Sequence, residues 1–370
     1  MMDERKFWVG FNRVKGIGAV RTRRLLDFFG KLSLAWDAPL ESLRAAGMTE
    51  KVIEQFQQVR HDIDLDVYWQ KILDKNIQVI TWMDENYPKR LKEIDQPPPV
   101  IYFRGKIESV DDWAVAIVGT RRVTTYGRQI TQDTAAYLAG NGITIVSGLA
   151  RGVDALAHQA ALGAGGRTIA VLGSGVDIIY PSEHRKLADA IMEHGAIISD
   201  YAPGTPPDGV NFPPRNRIIS GLSRATIVIE AGQKSGALIT AQFANEQGRD
   251  VFAVPGSILS PMSRGTNQLI SEGATPLTNP KDVLDTLGYT QIAAQQSARH
   301  ELPVEPDEAK IISALGYEPM HVDDLCARLD MPIEKLTACL TMMELKGLVR
   351  QAGGMQYTVI RERSQGYQIN

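Results

Sequence analysis

"WAVAIVGTRRVTTYGRQITQDTAAYLAGNGITIVSGLARGVDALAH", Trp113 to His158, decides the fold of this 370-residue chain. Two apolar runs, 113–119 and 142–148, each end at a glycine, turn through polar residues and enter a helical stretch. Continuous Val/Ile runs between helices mark parallel strands covered on both faces. The pattern repeats outward in "RTIAVLG" (167–173), "GAIIS" (195–199), "ATIVIEAG" (225–232) and "DVFAVPG" (250–256). The reading is α/β: a doubly wound Rossmann-like parallel sheet over residues 86–290, with its ligand at the carboxyl ends of the strands.

The flanks read differently. Residues 1–85 look helical. "RVKGIGAVRTRRLLDFF" (Arg13 to Phe29) has a Gly16/Gly18 turn followed by apolar residues at helical spacing, and "AAGMTEKVIEQFQQV" is a weaker copy. This resembles a tandem helix-hairpin-helix, SAM-like module, whose turn N–H groups can meet a DNA phosphate. A small helical bundle whose glycines only shape the turn is the plainer alternative. Residues 1–31 hold eight Lys/Arg against three Asp/Glu. "DQPPPVIYFRG" (Asp95 to Gly105) reads as a proline-rich joint, and residues 291–305 as a polar linker. Three helical stretches and a Gly-Gly hairpin over 306–362 predict a C-terminal winged helix.

Composition sets bounds. The chain is 44% hydrophobic and 22% charged with formal net charge −3, so a nucleic-acid partner has to meet a local patch. The two cysteines, Cys326 and Cys339, make neither a disulfide framework nor a paired metal site. No stretch is apolar enough to span a membrane, and no signal peptide is visible. These features point to a cytoplasmic protein.

Distinctive polar residues follow the strands. After the first come Gly119, Thr120, Arg121 and Arg122, the arginines offering guanidinium forks that match phosphate. "SGLARGVDALAH" follows the second, and the next helix begins at once, so its free N–H groups face the same rim. "NFPPRNRIISGLSR" (Asn211 to Arg224) precedes the fifth strand, and "EAGQKSGALITA" follows it. In a parallel sheet these loops converge, which places Arg121, Arg215, Arg217 and Lys234 on one face with room for more than one phosphate. Arg217 or Arg224 can instead pair with Glu230 or Asp200.

Other chemistries fit worse. "LGSGVDII" has Ile178 at the third glycine of GxGxxG, and no GxxxxGK[ST] occurs, which argues against NAD and against a Walker loop. Asp154 and His158 lie four apart on one helix face; as an acid-base pair they could activate a nucleophile, but a local hydrogen bond that holds the loop is the simpler role. No His/Cys ligand cluster is present, so neither metal nor cofactor is expected.

Taken together, "YPKRLKEI…PPPVIYFRG", "AIVGTRRVTTYG", "SGLARGVDALAHQAAL", "GSGVDIIYPSEH", "FPPRNRIISGLS", "VIEAGQKSGALITAQFANEQGRDVFAVPG" and "GTNQLISEGA" resemble the DNA-processing protein A family of bacterial natural transformation. They run from Tyr87 to Ala274 in the family's order. The resemblance implies a non-enzymatic protein that binds single-stranded DNA, forms a homodimer through the Rossmann-like domain and loads a RecA-type recombinase. It implies that Arg121, Arg215 and Arg217, with Asn216 in the same "FPPRNR" motif, hold phosphates. Ser147, Gly148, Ser235, Gly236 and Thr240 would line the pocket, and Phe212 would stack on a base. Thr120 stands where the family often has Ser, and Asp200 where it commonly has Glu.

Two questions stay open at this level. A nucleotide sensor, or an enzyme cleaving an N-glycosidic bond, would use the same rim and needs a carboxylate near the ribose, for which Glu230 at a strand end is placed. The C-terminal domain has five Lys/Arg against nine Asp/Glu between residues 305 and 360. That balance opposes phosphate binding and suggests a protein-contact role.

Overall fold

A computed structural model describes residues 3–289, 306–315, 319–345 and 349–359. The chain divides into two compact units, Met1–Leu287 and Gly288–Asn370. The linker read at 291–305 lies outside the described residues.

The first unit opens with six helices: α1 (Arg5–Asn12), α2 (Ala19–Phe29), α3 (Leu32–Asp37), α4 (Leu40–Ala45), α5 (Glu50–Asp62) and α6 (Leu65–Asp74). Their aromatic residues build the core. The Phe11 ring stacks on Phe56 at 5.3 Å, and Trp36 meets both edge-on. Between α1 and α2 the chain turns at Gly16, whose φ of +97° is left-handed backbone that a side chain disfavours.

The chain then enters a sheet through β1 (Gln78–Thr81), short helix α7 (Lys89–Lys92) and β2 (Val100–Gly105). From there strand and helix alternate: β3 (Ala114–Val118), α8 (Thr125–Gly140), β4 (Thr144–Ser147), α9 (Val153–Gly163), β5 (Thr168–Val171), α10 (Arg185–Glu193), β6 (Gly195–Ser199), α11 (Phe212–Leu222), β7 (Ala225–Val228), α12 (Gly236–Glu246), β8 (Asp250–Ala253), α13 (Arg264–Ser271), β9 (Thr275–Pro276) and α14 (Lys281–Thr286). The nine strands lie in the order β1-β2-β6-β5-β4-β3-β7-β8-β9. All six strands expected from the apolar runs are present, and their pairings with one another are parallel.

The proline-rich joint is structured rather than flexible. Val100–Gly105 is an extended, largely buried strand antiparallel to both β1 and β6. Its apolar "VIYF" packs on both faces, and Tyr102 is among the largest fully buried side chains. The helical front is thereby tied into the sheet: β1, inside the expected helical segment, is an edge strand, and Tyr102 donates its hydroxyl proton to Asn12 at the end of α1 (3.0 Å).

Strand order reverses at β3. Its neighbours are β4, next in the chain, and β7, reached after three further strands. In doubly wound sheets this switch point opens a crevice at the carboxyl ends of the strands.

The second unit has helices Pro306–Leu315, Val322–Leu329 and Ile333–Leu345 and a three-stranded antiparallel sheet with Gln356–Val359 between Met320–His321 and Val349–Gly353. Leu325, Leu336, Leu340, Met343 and Tyr357 are buried in its own core. This is a winged helix.

Candidate nucleic-acid interface

The crevice at the switch point is a cavity of about 830 Å³. Its walls are the loop after β3 (Gly119–Arg122), the loop after β7 (Gly232–Gly236), the first turns of α11 and α12, and Tyr180, Pro207 and Met262. Gly152, at φ +78°, brings the loop after β4 against the loop after β3; a Cβ there would stand 2.4 Å from the Thr120 carbonyl oxygen.

The mouth is cationic. Arg121, Arg122 and Lys234 line the cavity and are exposed, and among the described residues none of the three forms an ion pair. Behind them Phe212 and Tyr180 lie 5.8 Å apart at 31°. The Arg121 guanidinium sits 5.8 Å from the Phe212 ring centre, and that of Arg215 5.9 Å. A planar base can stack here while phosphates meet the guanidinium groups.

Arg215 forms the floor and is only 5% exposed. Its Nη1 donates to the carbonyls of Gly148 (3.0 Å) and Val171, joining the ends of β4 and β5. Its Nε is buried and, among the described residues, has no partner, so one guanidinium donor is unused by the protein. Burial lowers Arg215 to about 10, which still leaves it charged at neutral pH, and nearby Asp154 opposes the shift.

The loop between β3 and α8 is pinned from beneath. Glu230, 2% exposed, accepts from the Thr124 N–H (2.9 Å) and from the Thr124 hydroxyl (2.6 Å). Both of its oxygens therefore serve the loop that carries Arg121 and Arg122. The carboxylate that could have worked on a ribose is a staple.

Several expected residues fall elsewhere. Ser147 is fully buried and donates to the Ile117 carbonyl (2.6 Å), and Gly148 is buried against Arg215; neither lines the cavity. In the turn before that helix, the N–H groups of Gly148 and Ala150 are taken by the Asp154 carboxylate at 3.2 and 3.3 Å. Arg217 is absent from this cavity. It projects from the other side of α11, where Nη2 meets Asp200 at 2.7 Å and Nη1 donates to the Gln96 carbonyl. Two residues apart on an α-helix is about 200° of rotation, so Arg215 and Arg217 cannot share a face. Arg224 pairs with neither carboxylate: it donates to the Asp112 carbonyl and lies 3.4 Å over the Trp113 ring.

Gly119, Thr120, Phe212, Asn216, Ser235, Gly236 and Thr240 do line the cavity. Asn216 donates to the Gly236 carbonyl (3.3 Å), and Ser235 caps α12 by accepting from the Ala237 N–H. Asp154 and His158 do not pair with each other. His158 is fully buried against Thr168 (2.6 Å), whose hydroxyl donates to Ile145; the imidazole therefore donates from Nδ1. Burial lowers its pKa to about 3. Tyr180 and Met262 went unread because each sits in a long loop where spacing carries no signal.

The fold agrees with the comparisons to known proteins. The family model "DNA recombination-mediator protein A" matches residues 78–288, from the first residue of β1 through the whole sheet. The chain belongs to this family. The DprA winged helix domain model matches residues 295–355. Protein Smf of Synechocystis sp. is 37% identical over 392 aligned positions, covering 96% of this chain and 98% of the relative. DNA processing protein DprA of Streptococcus pneumoniae is 45% identical over 202, covering 55% and 71%. Its X-ray structure aligns with a TM-score of 0.68 at 36% identity, over 76% of this chain and 97% of that one. A DNA processing protein A from Helicobacter pylori, solved for its single-stranded DNA binding mode, aligns with a TM-score of 0.53 at 34% identity, over 58% and 96%. Among the described residues no group of His, Cys, Asp and Glu could hold a metal, and no helix is long and apolar enough to cross a membrane.

Proposed function

We propose that the rim cavity binds single-stranded DNA and that the protein presents this strand to a RecA-type recombinase. One observation carries the DNA reading: three exposed, unpaired cations ring an aromatic pair above a buried arginine with a spare donor. A phosphodiester chain with an unstacked base uses every part of that arrangement. Stacking accepts any base and phosphates give the affinity, so the site is sequence-tolerant. A duplex hides its bases and leaves Phe212 and Tyr180 without a role. The single-stranded DNA binding mode for which the Helicobacter relative was solved supports the same ligand.

The cavity divides its labour. Arg121, Arg122 and Lys234 neutralise phosphate, Phe212 and Tyr180 stack, and Arg215 supplies a fixed donor from the floor. Thr120, Asn216, Ser235, Gly236 and Thr240 shape the wall. The recombinase step and a homodimer through the Rossmann-like domain follow from the family resemblance. In the proposed division residues 1–85 are the helical module, 86–290 the DNA-binding domain and 306–362 the winged helix.

Fluorescence anisotropy with labelled oligothymidylate, single- and double-stranded, over a salt series tests the DNA reading. Tight single-strand binding that weakens with salt is expected, with the log–log slope reduced by about 0.7 for each phosphate contact removed in Arg121→Ala or Lys234→Ala. Equal preference for duplex, or variants that bind as the wild type does, would sink it.

A further inference from the structure

A second cleft, of about 650 Å³, lies between the α1–α2 turn and the loop after β6. We propose that it holds a further phosphate of the same single DNA strand, so that the strand runs from the rim cavity across one ridge to the helical front. The inference rests on the rim cavity being a single-strand site.

Three observations carry it. The first is continuity. Pro206 lines the cleft and Pro207, the next residue, lines the rim cavity. Adjacent Cα atoms are about 3.8 Å apart, so at this point neighbouring residues of a single chain segment divide the two sites. Helix α11 backs both sites, with Arg215 on one face and Arg217 on the other.

The second is charge. Arg13, Lys15 and Arg217 line the cleft against one carboxylate, Asp200, which Arg217 already neutralises at 2.7 Å. Arg13 lies over the Tyr68 ring and donates to its hydroxyl, while Lys15 is exposed and forms no ion pair among the described residues. The third is the backbone. Helix α2 starts after Gly18, which has no side chain to cap it. Among the described residues nothing accepts from the N–H groups of Gly16 and Ala19, both of which line the cleft. Free N–H groups at a helix start, an exposed cation beside them and a neutralised opposite wall suit a phosphate.

The test uses the full chain and two labelled oligothymidylates, one of about 4 nucleotides, enough for the rim cavity, and one of about 20 nucleotides, long enough to cross the ridge. Lys15→Glu and Val20→Asp each place a negative charge at the turn. Both positions are exposed, and an acid in a first helical turn favours the helix, so thermal denaturation should show both variants folded. The long oligomer is expected to bind at least about fivefold more weakly to either variant at low salt, with the short oligomer unchanged. Equal losses at both lengths, or no loss at either, overturn the second subsite while leaving the rim reading intact. A wild-type protein that binds neither length removes the rim reading, and this inference with it.

Discussion

Helix α11 has two unlike faces. Toward the rim it presents Phe212, Arg215 and Asn216, held by the ends of β4 and β5 and by the loop after β7. Toward the helical front it presents Arg217, held by Asp200 and the Gln96 carbonyl. Among the described residues the first arginine has an unpartnered Nε and no ion pair; the second is spent on an ion pair. Two arginines of one motif, two residues apart, thus do different work. The same residue type reads as ligand or as brace according to what already occupies its donors.

Four measurements break or sharpen that contrast. The largest effect is expected at Arg215. Replacing it with Ala removes the bridge between β4 and β5 and leaves the Gly148 and Val171 carbonyls without that donor, so chemical denaturation should show a loss of about 3–5 kcal/mol together with loss of oligonucleotide binding. Arg215→Lys, one point charge in place of a planar fork, should recover only part of either. An Arg215→Ala protein of wild-type stability would mean the floor is not built as described.

Arg217→Ala should cost less, about 2 kcal/mol, because Asp200 is left buried while its neighbourhood is partly wet. Binding of a short oligomer to the rim should survive. If short-oligomer affinity falls as far as in Arg215→Ala, the two faces are not separate.

His158, behind the rim, gives a smaller and pH-dependent effect. Burial holds it neutral, with its folded pKa near 3. An unfolded histidine titrates at about 6.5, so the unfolded state takes up the proton first as pH falls. The stability is complete above that value and declines by about 1.4 kcal/mol per pH unit below it, until the folded value is reached. His158→Asn keeps a donor for Thr168 and should flatten the wild-type decline between pH 7.5 and 5.5, a window chosen, at about one unit either side of the unfolded value, to avoid most carboxylates. Matching slopes in the two proteins would refute the neutral buried histidine.

Arg121→Ala should hardly touch stability. The side chain is exposed and unpaired, so its melting curve should stay within about 0.5 kcal/mol of wild type even as binding weakens. Against Arg215→Ala, this separates contact with the ligand from support of the fold.

The sheet was legible from sequence because apolar strand runs and helical spacing are local signals. The run at 225–228 reads as a buried strand whatever surrounds it. "VIYFRG" was missed because three prolines precede it, and proline marks joints more often than the start of a strand. Its membership depends on pairing with β1 (Gln78–Thr81) and β6 (Gly195–Ser199), both distant from it in sequence.

The site divides along the same line. The sequence by itself determined which residue types meet at the carboxyl ends of the strands: guanidinium groups, a lysine, an aromatic and small hydroxyl residues, in loops that a parallel sheet brings together. Only the tertiary structure decided which of them face the cavity. It turned Arg217 to the far side of α11, spent Glu230 on Thr124, buried Ser147 under β3 and brought Tyr180 to Phe212. Residue type and spacing follow from the local chain. The orientation of a side chain and the occupation of its hydrogen-bonding groups depend on partners distant in sequence, and those are fixed only when the strands and helices pack.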